Sequence, residues 1–94
     1  MAGEIELVGE RFVSANGDVS QQFRYRGVLF KFIDRADPDE KNSVWAQEMH
    51  PTMWFYQKVG KGISDETAMI FGAEVILDKH EKWAREELER RAAL

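Results

Sequence analysis

Apolar and polar positions alternate along most of the first half of the chain. "EIELVGERFVS" (Glu4 to Ser14) and "VSQQFRYRGVLFKFI" (Val19 to Ile33) are rich in β-branched and aromatic residues. They flank "ANGD", whose Asn16-Gly17 pair is the strongest short hairpin signal, so an antiparallel hairpin is predicted. The second run changes phase midway: Phe23 and Tyr25 share one face, whereas Val28, Phe30 and Phe32 fall on the opposite parity. A bulge or tight bend at Arg26-Gly27 shifts the phase by one, bringing all five onto the core face and leaving Leu29 and Ile33 on the other.

The pattern then changes. In "RADPDEKNSVWAQEMHP", Asp37 suits an N-cap, Pro38 a first helical position and Glu40 the reciprocal place of a capping box, while Pro51 ends the segment. This predicts a short helix over roughly 38–49 with Val44, Trp45 and Met49 turned to the core. A strand from Ser43 to Met49 is the rival reading. "TMWFYQKV" reads as a third strand, with Met53, Phe55 and Val59 on one face and Trp54, Tyr56 and Lys58 on the other.

After "GKG", Ser64 is placed as an N-cap with Asp65 and Glu66 in the positive first turn and Ile63 spaced to staple onto Ala68. Ile70, Ala73, Ile76, Leu77, His80, Trp83, Ala84 and Leu88 then form a stripe with helical spacing. The last third of this helix is mostly charge, with Glu81 and Arg85, Glu86 and Arg90, and Glu87 and Arg91 spaced as i,i+4 pairs. Gly72 marks either a close approach by another backbone or a local cost of about 1 kcal/mol relative to alanine. The expected architecture is a single α+β domain over residues 1–94. It has a small antiparallel sheet of about three strands packed against one long C-terminal helix, with a short helix inserted before the third strand.

Composition narrows the chemistry. Cysteine is absent from the 94 residues, which removes disulfides and thiolate metal ligands and points to a reducing, cytoplasmic setting. "MAGEIELVGE" has neither a basic region nor a long apolar run, so neither a secretory signal nor a membrane span is expected, and "MAG" is not a myristoylation start. The formal net charge of −4 argues against broad binding to nucleic-acid backbones. The charges are nevertheless segregated. Residues 11–33 carry Arg11, Arg24, Arg26 and Lys31 against Asp18, whereas residues 34–48 carry Asp34, Asp37, Asp39, Glu40 and Glu48 against Arg35 and Lys41.

Several motifs fail on inspection. "VGKGISDE" looks like a phosphate-cradling loop, but it is too short for a P-loop and its two acids would repel the anion. "DPDEKNSVWAQE" places Asp37, Asp39 and Glu48 as in a calcium loop, yet Lys41 and Asn42 stand where a ligand and the turn glycine belong. "RGVLFKFI" starts like an RNA-recognition strand and then departs from it. His50 and His80 are the only histidines, too few for a three-histidine zinc site, and no serine sits in a nucleophile elbow. No catalytic residue, metal ligand or cofactor is assigned, and the chain reads as a non-enzyme.

What remains is the consecutive Trp54, Phe55 and Tyr56, of which alternation buries one and leaves two for another surface. Trp and Tyr combine large contact area with a polar tip and are enriched at interface hot spots. Candidate partner-binding residues are therefore Trp54, Tyr56 and Lys58 with Arg24, Arg26 and Trp45. The competing assignment packs this face against the short helix carrying Trp45. The leading functional expectation is a small acidic inhibitor or adaptor that binds a larger macromolecular complex, a description that a phage or mobile-element inhibitor of host defence would fit. The alternatives are a binder of nucleotide-like small ligands in an aromatic pocket and a self-associating structural subunit, such as a homodimer.

Overall fold

The computed structural model describes residues 4–48 and 55–93. Five strands, β1 (Ile5–Val13), β2 (Val19–Tyr25), β3 (Val28–Asp34), β4 (Asn42–Ala46) and β5 (Tyr56–Val59), precede one helix, α1 (Asp65–Ala92). The strands form a single antiparallel sheet in the order β1-β2-β3-β4-β5, each paired with its neighbour in sequence. The α+β class and the long C-terminal helix are as expected. The sheet has five strands rather than about three.

The additional strands arise in two places. Arg26-Gly27 is a two-residue hairpin turn, because Tyr25 pairs directly with Val28 and both turn residues have positive φ, 52° and 79°. Two positive φ values define the turn whose twist suits a tight hairpin. The turn reverses the chain and produces the inversion of side-chain parity that a bulge was invoked to explain. Phe23, Tyr25, Phe30 and Phe32 accordingly all lie buried on one face, with Val28 beside them, while Leu29 and Ile33 turn to the other.

The second correction concerns the helix predicted over 38–49, which is absent from the described part, 38–48. The capping signals of Asp37 are used in a turn: the Asp39 N–H donates to Asp37 Oδ1 at 2.9 Å and the Glu40 N–H to the Asp37 carbonyl at 3.1 Å. The chain then extends into β4, which pairs with β3 from Phe30↔Ala46 to Ile33↔Ser43. Tertiary pairing overrides the local cap here, since the open edge of β3 gains a hydrogen-bonded neighbour and Val44 becomes fully buried. Asn42 closes the connection, its side-chain oxygen accepting from the Arg35 N–H at 2.8 Å and from Lys61 Nζ at 3.1 Å. The placements expected for Met49, Met53 and Trp54 and the stop at Pro51 lie outside the described residues.

A third feature left no clear mark in the sequence. Between Val8↔Gln22 and Phe12↔Ser20, β1 carries two more residues than β2, and Gly9 takes φ 71°. The Gln21 side chain, almost fully buried, donates to the carbonyls of Val8 and Gly9 at 3.1 and 3.2 Å, supplying the partners that the interrupted ladder withholds.

The helix begins as expected: Ser64 caps it, accepting from the Thr67 N–H at 3.2 Å, with Asp65 and Glu66 in the first turn. Ile63 stays half exposed. Ala68, Met69, Gly72, Ala73 and Ile76 pack on the inner face of the sheet, where Phe23, Phe30, Phe32, Val44 and Val59 are all at most 1 % exposed. Each buried phenylalanine contributes about 1.5–3 kcal/mol relative to an exposed one. Gly72 permits the closest approach. A Cβ there would stand 2.4 Å from Val44 Cγ2 and 3.3 Å from Val59 Cγ1, so the glycine admits two sheet side chains rather than a second backbone. Farther along, His80 and Trp83 form an aromatic cluster with Phe55, and the described residues after Ala84 are exposed apart from Glu87. Arg85 pairs with Glu81 and Arg91 with Glu87 as the spacing predicts, whereas Arg90 turns to Glu87.

Candidate outer sheet face

The helix covers one side of the sheet only; among the described residues no element lies over the other. Strand register lays out the side chains of this outer face in three transverse rows. One row crosses all five strands as Val8, Gln22, Lys31, Trp45 and Tyr56. A second runs Phe12, Ser20, Ile33, Ser43 and Lys58. The third holds Glu6, Arg24 and Leu29, whose carbonyl accepts from the Gln47 N–H at 3.0 Å.

The centre of the face is an aromatic pair. Trp45 and Tyr56 are direct cross-strand partners with ring centroids 4.5 Å apart and planes within 17° of parallel. The indole N–H of Trp45 donates to Ser43 Oγ at 2.9 Å, two residues back on the same face, which fixes the ring along β4. Register places Tyr56 on one side of Trp45 and Lys31 on the other. On the Lys31 side a shallow depression of about 500 Å³ is lined by Lys31, Ile33, Trp45 and Gln47. On the Tyr56 side a second, of about 420 Å³, runs past Ser43 and Lys58 to Arg35, Asp39, Glu40 and Lys41. Tyr56 remains 45 % exposed.

Four of the six residues singled out by the sequence thus share one surface: Trp45, Tyr56, Lys58 and Arg24. Trp45 does not cover this face from a separate helix, as the competing assignment required; it belongs to the sheet. Arg26 is elsewhere. The hairpin turn removes it from the alternation, and its guanidinium lies 3.3 Å from Glu74 on the helix, which also accepts from the Tyr25 hydroxyl. That hydrogen bond, with burial, raises the Tyr25 hydroxyl above the ordinary tyrosine value. Trp54 lies outside the described residues. Lys31 was overlooked, although it has the parity of Leu29 and Ile33, which were assigned to this face.

The buried polar side chains are engaged in holding the fold. Gln21 closes the β1 irregularity, Asn42 the β3–β4 connection, and Ser43 the Trp45 ring. Asp18 ties two loops together: it accepts from the Ala36 N–H at 2.9 Å and from Arg35 at 3.0 Å, and these bonds, the backbone one foremost, lower its carboxyl below the usual value. Among the described residues no three His, Cys, Asp or Glu side chains gather to hold a metal ion, and no helix is long and apolar enough to cross a membrane.

No protein-family model, no curated protein and no solved structure matches the chain.

Proposed function

We propose that the protein is a non-enzymatic interaction module, an adaptor or inhibitor, that docks a larger macromolecule on the outer face of its sheet. The observation that carries this reading is the Trp45–Tyr56 stack, set among Lys31, Lys58, Leu29 and Ile33 on a face that no other described element covers. An isolated sheet face in water ordinarily carries polar side chains. Here it offers a rigid aromatic centre with a charged and amide rim, the composition of an interface core and its border. The buried polar side chains Gln21, Asn42 and Ser43 serve the fold.

The test is site-specific photo-crosslinking in lysate of the source cells, with a photoreactive side chain at Lys58 in one bait and at Phe71, on the exposed side of the helix, in another. A discrete adduct from position 58 that is missing from position 71, and that is lost on adding Tyr56→Ala, is the expected result. Equal adducts from both positions would remove the outer face as the docking surface. A homodimeric adduct would transfer the face to self-association.

A further inference from the structure

We infer that the outer sheet face binds single-stranded nucleic acid, with bases stacking at Trp45 and Tyr56 and the backbone following Arg24, Lys31 and Lys58. The inference rests on the interaction-module reading and names its partner.

The charge of the molecule is unevenly distributed. Its formal sum is −4, but the outer rows carry Arg24, Lys31 and Lys58 against Glu6 alone, at the β1 edge. Asp65 and Glu74 belong to the helix and are engaged there by Arg11 and Arg26; at the rim Glu40 is 3.6 Å from Arg35, and Asp39 lines the same depression as Lys41 and Lys58. With a Debye length of about 8 Å at physiological salt, acids a full layer away are largely screened from a ligand on the outer face. The three cations also lie in order. Each is one row farther along the strands and one or two strands farther across, which makes a diagonal with Cα steps of about 8 Å and then about 12 Å.

Two features favour a nucleic acid over an acidic polypeptide. The ring face of Trp45 away from Tyr56 opens on the depression bordered by Lys31, Ile33 and Gln47, a slot with one aromatic wall where a base can stack. A carboxylate-rich peptide would use the cations and leave that wall uncovered. The row through the stack also holds Gln22, and Gln47 lies beside it; their amides offer both donors and acceptors to base edges, whereas an acidic side chain uses donors only. Stacking platforms tracked by a basic path are how single strands are held without sequence reading.

The experiment is fluorescence anisotropy of a labelled thymidine oligonucleotide about a dozen nucleotides long, within the usual span of such sites. A uridine oligonucleotide and a polyglutamate peptide of equal charge are run beside it, with the full chain and tryptophan emission followed in parallel. The expected result is oligonucleotide binding with tryptophan quenching, weakened about twentyfold between about 50 and about 200 mM salt, as expected for about three phosphates neutralised. Tyr56→Ala and Lys31→Glu, each confirmed folded by circular dichroism, should each weaken binding about tenfold or more, and Phe71→Ser should leave it unchanged. Absence of oligonucleotide binding at the lower salt, or equal loss with Phe71→Ser, overturns the inference. Polyglutamate binding as tight as the oligonucleotide overturns it too, while the interaction-module reading survives with an acidic protein as partner. If crosslinking from position 58 also fails, that reading falls as well.

Discussion

Replacing Gly72 with alanine separates intrinsic helix propensity from tertiary fit. In an isolated helix the change stabilises by about 1 kcal/mol. In this molecule the new methyl would sit 2.4 Å from Val44 Cγ2 and 2.7 Å from Val44 Cβ, well inside contact distance, and 3.3 Å from Val59 Cγ1. Val44 is fully buried on an interior strand and β-branched, so it has little rotamer freedom with which to retreat. Overpacking of this kind costs about 1–3 kcal/mol, and so direct a collision belongs at the upper end of that range. The net expectation is a loss of about 2 kcal/mol, or a fall in Tm of about 8–16 °C for a domain of this size. Thermal melts by circular dichroism, with urea midpoints as a second measure, read it directly. The same substitution in a Val44→Ala background should cost less, because the nearest methyl is gone. An unchanged or raised Tm in the parent would refute the assignment of the helix-to-sheet spacing to Gly72, and an undiminished penalty in the Val44→Ala background would refute the collision with Val44.

Three further outcomes test other parts of the fold. Arg26→Asn should stabilise by a few tenths of a kcal/mol up to about 1: asparagine tolerates the positive φ of 52° better than arginine, and the exposed pair with Glu74 that it forfeits is worth little. A rise in the urea midpoint checks this. Ser64→Ala removes the helix N-cap and should cost about 1 kcal/mol, read as a fall in Tm of about 4–8 °C. The third concerns pH. Asp18 has its carboxyl lowered in the folded state, so its contribution to stability is present above the ordinary carboxylate value and is lost as pH falls through the lower, folded value. The stability gap between the parent and Asp18→Asn should therefore be constant near neutrality and shrink below about pH 4. A gap that persists in acid would show that the variant acts through something other than the charge.

The legible parts of this fold were those encoded locally. Asn16-Gly17, the Ser64 cap and the helical stripe from Ile70 to Trp83 each carry their signal within a few residues, and each stands where expected. The β4 segment misled because its local signal was genuine but served another structure: Asp37 caps a turn, and the choice between helix and strand was made by β3, a partner on the far side of the connecting loop. At Arg26-Gly27 the change in periodicity was read correctly, but bulge and hairpin invert parity alike. Only the count of strands separates them, and arginine is a poor advertisement for positive φ. The β1 irregularity depends on the Gln21 side chain reaching a neighbouring strand, a long-range contact with no periodic trace.

The candidate face shows the same division. Alternation alone put Tyr56 and Lys58 together, whereas joining them to Trp45, Lys31 and Arg24 required the register of three strand pairs. Register also changes what the net charge means. A sum over the chain argues against an anionic partner, but a partner at contact distance responds to the charges within about one Debye length, and the fold sorts those by face. On the helix side Asp65 and Glu74 meet Arg11 and Arg26. In the outer rows Arg24, Lys31 and Lys58 stand against Glu6, with Asp39 and Glu40 at the rim beside Arg35 and Lys41, and the Trp45 indole is held by Ser43. Pre-fixed aromatic rings lose little further freedom on binding, which favours the docking proposed for this surface.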